Sequence, residues 1–294
     1  MILLAGGTGT LGRQVVRLLT ARGLSVRVLT RDPARAEPLQ DAPVEVVSGD
    51  VRDPEAVARA MRGVRTVVSA VHGFTGTGPD NPRTVDDQGN LNLIRAAGRA
   101  AADHFVLISV QGAAADHPLE LFRMKYQAEQ DLRASGLPWT IIRPTAFMET
   151  WAKLVGEPLL RTGRTVIFGR GLNPINFVSA HDVARLVDLA VVDPALRGAV
   201  IEIGGPENLS FRQVVETFQQ VTGRPGQVRQ VPLPLLRMMA ALMPRVNPTL
   251  GRQIRAAVVM DTADMSFFPH AGPAALPGPL TSLSEVVRRD YGGT

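Results

Sequence analysis

The sequence predicts an α/β fold built on a doubly wound parallel sheet, with a small C-terminal lobe on the substrate side. Two observations predict it. Short apolar, β-branched runs alternate with stretches of helical periodicity over the first 145 residues, which points to a parallel sheet with helices on both faces. The first apolar run leads straight into Gly6-Gly7-Thr8-Gly9-Thr10-Leu11-Gly12, and a helical pattern follows at once.

The elements follow in order. The run before Gly6 reads as a strand, and Val15, Val16, Leu18 and Leu19 have helical spacing that stops at Ala21-Arg22-Gly23. Ser25 to Thr30 is a second strand, Val44 to Val47 a third, Pro54 to Arg62 a helix, and Thr66 to Ala70 a fourth strand ending near His72-Gly73. A loop rich in Gly, Thr and Pro covers Phe74 to Pro82. Asp86 to Ala101 and Leu119 to Ser135 read as helices, with strands at Phe105 to Ser109 and Trp139 to Arg143. Beyond Pro144 the regularity weakens. Ala146 to Arg164 is helical in part, Val166 to Phe168 is a short strand, Ser179-Ala180-His181-Asp182 starts a helix to Val192, and Ala199 to Ile203 returns as a strand of the main sheet. Ser210 caps a further helix reaching about Thr222. His181, beside a helix start, reads as structural rather than catalytic. No repeat or linker separates independent domains, so residues 1–294 are expected to form a single domain: a core of 1–145 plus 177–205, and a smaller lobe of 146–176 and 206–294.

Strand, glycine turn, helix, strand is the Rossmann arrangement. Its glycines permit a tight turn, close approach of the backbone to a pyrophosphate, and packing of helix on sheet, while the helix N-terminus offers N–H groups to the anion. A dinucleotide is therefore expected at Gly6, Thr8, Gly9, Thr10, Leu11 and Gly12. After the second strand the chain reads Thr30-Arg31-Asp32-Pro33. Arg31, with Arg13 as a second candidate, suits the 2′-phosphate of NADP(H); the opposing reading gives Asp32 the ribose hydroxyl of NAD(H). NADP(H) is favoured.

Composition narrows the rest. A hydrophobic content of 45% and mean hydropathy of +0.07 over 294 residues suit a soluble globular protein. The absence of cysteine excludes disulfides, thiolate nucleophiles and cysteine-built zinc sites, and His72, His104, His117, His181 and His270 never fall two to four residues apart, so no metal is expected. The charge of +5 is spread along the chain without a basic cluster, which argues against nucleic acid. No apolar run approaches the roughly 20 residues of a bilayer crossing, and the opening run is too short for a secretory signal; a cytoplasmic location is expected. Lysine occurs only at Lys125 and Lys153, all other basic residues being arginine. The run Val231 to Met243, with three methionines interrupted by Pro232, Pro234 and Arg237, reads as a helix packed on the smaller lobe, an adaptable lid, or a membrane-surface contact.

As a set, several segments resemble the atypical short-chain dehydrogenase/reductases of the NmrA-like and isoflavone-reductase-like branch. They are the glycine turn, Gly49-Asp50, Phe105 to Ser109, Lys125 to Glu129, Ser135 to Pro144, Phe177 to Ala184, and Gly204-Gly205-Pro206-Glu207. The similarity extends to about residue 225. It implies roles for Gly6, Gly9 and Gly12 at the phosphates, Arg31 at the 2′-phosphate, Asp50 and Val51 on the adenine side, Ala70 at a ribose, and Ser109 facing the nicotinamide, with Thr145, Ala146 and Phe147 running along it. Typical members of the superfamily pair a lysine with a tyrosine four residues earlier. Here Lys125 stands at the lysine position, but Leu121 replaces the tyrosine, and Tyr126 is turned about 100° away on the helix. Lys125 is left as general acid or as cofactor anchor, against a purely structural i,i+4 pair with Glu129. The implied function is an NADP(H)-dependent oxidoreductase acting on a small apolar carbonyl, enone or quinone. The alternative is a non-catalytic NAD(P)H-binding sensor or assembly protein. Either takes a small-molecule ligand, and a homodimer stays open.

Overall fold

In a computed structural model of the chain, residues 1–39, 41–268, 276 and 278–292 are described; His270 and parts of the expected lobe 206–294 lie outside them. The chain divides into two compact units.

The first unit, Met1–Pro144 with Val183–Ile203, carries the main sheet. In chain order its elements are β1 (Ile2–Ala5), α1 (Thr10–Ala21), β2 (Val26–Thr30), β3 (Val44–Ser48), α2 (Pro54–Ala60), β4 (Thr66–Ser69), α3 (Asn90–Arg99), β5 (His104–Ile108), α4 (Glu120–Ala134) and β6 (Trp139–Pro144), with β10 (Val200–Ile203) added late. Strand order is β10-β6-β5-β4-β1-β2-β3, all parallel, as expected. The order reverses between β1 and β4, the switch point where such sheets bind ligands beyond their carboxyl ends. β1 and β5 are buried along their whole length, which explains the apolar runs Ile2–Ala5 and 105–108. α1 buries Val15, Val16 and Leu19 of the stripe its spacing predicted, with Leu11 added and Leu18 only half-buried. Asp53 caps α2 by accepting the Glu55 N–H, with Pro54 at the first helical position.

One expected helix differs. The segment read as Asp86 to Ala101 opens with a π-helical turn, Arg83–Gly89, before α3 begins. The wider turn places the Asp86 carboxylate on the Gly73 N–H, while the Asn90 amide donates to the Asp86 carbonyl.

The second unit holds Thr145–Asp182, 204–268 and 278–292 among its described residues. It contains β7 (Ala146–Phe147), α5 (Met148–Trp151), α6 (Glu157–Thr162), β8 (Arg164–Phe168), β9 (Ile175–Val178), the start of α7 (Ala180–Val192), β11 (Asn208–Leu209), α8 (Phe211–Thr222), β12 (Gln227–Val231), α9 (Leu233–Val246), α10 (Pro248–Thr262) and α11 (Leu283–Tyr291). Its core gathers Met148, Phe177, Phe211, Phe218 and Met260. Ser210 and Gln213 form a complete capping box on α8. β9, grouped with the core by the 177–205 boundary, pairs instead with β7 and β11. β12, which pairs with β8, was not foreseen: its sequence alternates Gln, Val and Arg and is largely exposed, so no apolar signal betrays it. Among the described residues no helix is long and apolar enough to cross a membrane.

His104 on β5 is buried, with Nε2 2.9 Å from the Thr140 hydroxyl, which itself donates to the Leu196 carbonyl. Burial, aided by the charge of Arg197, pushes the imidazole down to about 4. Because the unfolded chain takes up this proton near 6.5 and the folded one only near 4, folding stability should decline as pH falls from about 6.5 and level off near 4. Thermal melts across that window should show the decline for the wild type and a flatter profile for His104→Gln.

Candidate functional site

The glycine turn at the end of β1 is specified by backbone packing. Gly6 has φ +88°, and a Cβ there would lie 2.5 Å from the Ala70 carbonyl oxygen, so the turn is pressed onto the end of β4. A Cβ on Gly12 would lie 2.2 Å from the Gly6 oxygen, so only glycine lets α1 start there. Gly9 differs: a Cβ would meet only the Gly6 oxygen, at 3.3 Å. The protein itself hardly needs glycine at that position. α1 has no side-chain cap and no acidic residue in its first turn, unlike α2, α8 and α11, which are capped by Asp53, Ser210 and Ser282. Backbone N–H groups and the positive helix end are thereby left for an anion, which fits the diphosphate of a dinucleotide.

Next to the turn lies a buried ion pair. Lys125, 4% exposed, reaches from α4 to the ends of β4 and β5, donating to the carbonyls of Val71 and Ile108 at 2.9 Å each. Its ammonium stands 3.0 Å from Oδ1 of Asp86, which is fully buried and whose Oδ2 accepts the Gly73 N–H at 2.8 Å. The ammonium thus donates to two carbonyls and pairs by charge with Asp86, whose Oδ1 stands at contact distance without accepting a hydrogen bond. His72 lies above, its Nδ1 3.9 Å from the same carboxylate. Burial lowers this imidazole's pKa, Asp86 opposes the shift and Lys125 reinforces it; the half-exposed ring limits its extent.

The i,i+4 partner considered for Lys125 is engaged elsewhere. Glu129, fully buried on α4, accepts from Arg143 Nε at 2.9 Å and Nη2 at 2.7 Å, and from the hydroxyl of Ser109. The fork geometry satisfies the buried carboxylate, and these bonds raise Arg143 above its already high range. Ser109 therefore gives its proton to Glu129 and presents only lone pairs to other partners.

Beyond the ends of β2 and β3 sits a third cluster. Arg31 pairs with Asp80, which also lies 2.8 Å from Arg52; Arg52 in turn forks onto Asp50. Partial burial pushes the Asp50 carboxyl up, but the Arg52 hydrogen bonds and charge outweigh it and hold it below its usual range.

A family model described as NmrA-like matches residues 1–260. The chain belongs to the NmrA-like family. An NAD(P)H azoreductase of Xenophilus azovorans is 33% identical over 242 residues, 82% of this chain and 80% of that one. A photosystem II assembly factor of Synechocystis is 30% identical over 241 residues, covering 81% and 72%. Among solved structures, an NADPH-dependent quinone oxidoreductase of Escherichia coli complexed with NADPH superposes with a TM-score of 0.77 over 98% of this chain and 99% of that one, at 20% identity. At that identity the likeness speaks for the shared Rossmann-like fold.

In this NmrA-like chain the first unit brings together Gly6, Thr8, Gly9, Thr10, Gly12, Ala70, Ser109 and Lys125 at the carboxyl ends of β1, β4 and β5. Arg31 and Asp50 stand in their own cluster at the ends of β2 and β3. Leu11 and Val51 point into the core, so only their backbones remain for a ligand. Thr145 and Phe147 belong to the second unit, where Thr145 donates to Asn176, which also joins Gly205, Glu207 and Asn208. Asp86, Glu129, Arg143, Arg52 and Asp80 were missed as site residues. Arg143 carried a signal, a charge at the end of the largely apolar run Trp139 to Ile142. Asp86 and Asp80 carried none, because their partners are far away in sequence.

Proposed function

We propose that this protein is an NADP(H)-dependent oxidoreductase of the cytoplasm that passes hydride to a small apolar carbonyl, enone or quinone. The observation that carries the reading is the uncapped start of α1 behind a glycine turn at the sheet's switch point, in a chain one third identical to an NAD(P)H azoreductase. The bound cofactor supplies the hydride. The chain's own residues bind and orient: the turn's N–H groups seat the diphosphate, Arg31 receives the 2′-phosphate, and Lys125 fixes a positive charge beneath the ends of β4 and β5. For Lys125 to give up a proton it would have to leave Val71, Ile108 and Asp86, so a positioning role is favoured.

A second reading has its own support. Leu121 stands where a tyrosine acid would be, and one relative is a photosystem II assembly factor, which suits a non-catalytic NAD(P)H-binding sensor or assembly protein. Absorbance at 340 nm against a panel of quinones, azo dyes and carbonyls separates the two: turnover supports the enzyme, and NADPH binding without oxidation by any acceptor supports the sensor.

The 2′-phosphate assignment gives a further expectation. Arg31→Ala should weaken NADPH binding about 10- to 100-fold, from the loss of about 1.5–3 kcal/mol in charged hydrogen bonds, and leave NADH nearly unchanged. Asp80→Asn should tighten NADPH, because the carboxylate that shares Arg31 and Arg52 no longer competes with the phosphate. Titration calorimetry with both cofactors reads each change; equal weakening of NADPH and NADH in Arg31→Ala defeats the assignment.

A further inference from the structure

The second unit carries a surface that cofactor binding does not use. Between Thr217 and Met260 the sequence holds six arginines and no acidic residue, more positive charge than the whole chain's net of +5. Within this stretch α9 buries only Leu236. Leu235, Met238, Leu242 and Val246 are 42%, 55%, 57% and 81% exposed. Their steps of three, four and four residues place them within an arc of about 80° on the helix, forming one aliphatic row. Arg245, exposed, borders that row, and Arg237 and Arg255 are exposed on the same pair of helices.

We propose that the α9–α10 hairpin is a docking surface for an anionic lipid bilayer, with the aliphatic row entering the head-group boundary, Arg245 meeting lipid phosphates, and the other arginines of the stretch adding positive potential. An exposed apolar row beside a surplus of arginine is the composition of helices that lie in a membrane interface. A second copy of the chain is a poorer occupant. A two-fold contact through this face would set arginines against arginines, with no carboxylate in the stretch to separate them. The row also lacks the aromatic anchors that dominate protein–protein contacts. Membrane association of this kind goes beyond the proposed reduction and stands whether or not the protein turns over.

The test is co-sedimentation of the full chain with vesicles of equal parts phosphatidylglycerol and phosphatidylcholine, and with vesicles of phosphatidylcholine alone. The protein should pellet with the anionic vesicles, stay in solution with the neutral ones, and be released by raised salt. Met238→Glu with Leu242→Glu should weaken the association at least about tenfold, and Arg245→Ala about fivefold, with circular dichroism and NADPH affinity unchanged. Arg245 is exposed, so its variant tests the idea even if the double variant folds poorly. Failure to pellet with anionic vesicles, salt-independent pelleting with both vesicle types, or undiminished pelleting of Arg245→Ala overturns the proposal. Light scattering that finds a lipid-free dimer dispersed by Met238→Glu hands the face to a second copy.

Discussion

Gly9→Ala should melt within about 2 °C of the wild type and yet lose most of its affinity for NADPH, whereas Gly12→Ala should lose both stability and binding. The contrast follows from what each added methyl group would touch. At Gly9 it meets one carbonyl oxygen at 3.3 Å, which a few tenths of an ångström of movement relieves, and the position has φ −79°, ordinary for alanine. The methyl instead takes space beside the N–H groups where the diphosphate is proposed to lie. At Gly12 it would sit 2.2 Å from the Gly6 oxygen and 2.6 Å from the Gly7 Cα, both main-chain atoms that no rotamer change can move. Overpacking of this kind costs about 1–3 kcal/mol or more, which in a protein of this size lowers the melting temperature by about 2–5 °C or more. Differential scanning fluorimetry and calorimetric titration with NADPH separate the two effects. Wild-type affinity in Gly9→Ala removes the diphosphate from this turn and with it the functional reading.

The second large effect concerns the buried pair. Asp86→Ala leaves the Lys125 ammonium, 4% exposed, without its counter-charge and the Gly73 N–H without its acceptor. Removing one partner of a buried pair costs about 3–5 kcal/mol, because the remaining charge stays desolvated. Lys125→Met should also be costly, since it strands Asp86 together with the carbonyls of Val71 and Ile108. Combining Asp86→Ala with Lys125→Met should recover much of the loss, giving a coupling of about 1–3 kcal/mol by urea unfolding. Strict additivity would show that the two charges do not depend on each other. A double variant that regains stability but not NADPH turnover would show that the charge serves the site rather than the fold.

How much of this was legible depended on how local each feature is. The strands from β1 to β6 and the late return of β10 were readable because each is an apolar run with turn signals at its ends. The capping of α8 was readable because Ser210 and Gln213 lie within one turn. β12 was not, since it is held by pairing with β8 and carries Gln and Arg on an exposed edge. The π-helical entry to α3 was also hidden, because its cause is a hydrogen bond from Gly73 across the Phe74 to Pro82 loop.

The site divides the same way. The order of residues alone determined the glycine turn and placed Lys125 on α4, for these are matters of spacing along a strand, a turn and a helix, while the loss of the tyrosine at Leu121 came from the family resemblance. Only the folded chain decided that Lys125 answers to Asp86, that Glu129 belongs to Arg143 and Ser109, and that Asp80 joins Arg31 to Arg52. Buried charges settle on whichever opposite charge the packing of sheet and helix brings within about 3 Å, because leaving water alone would cost them too much. That proximity is a property of the layers and not of the neighbouring letters.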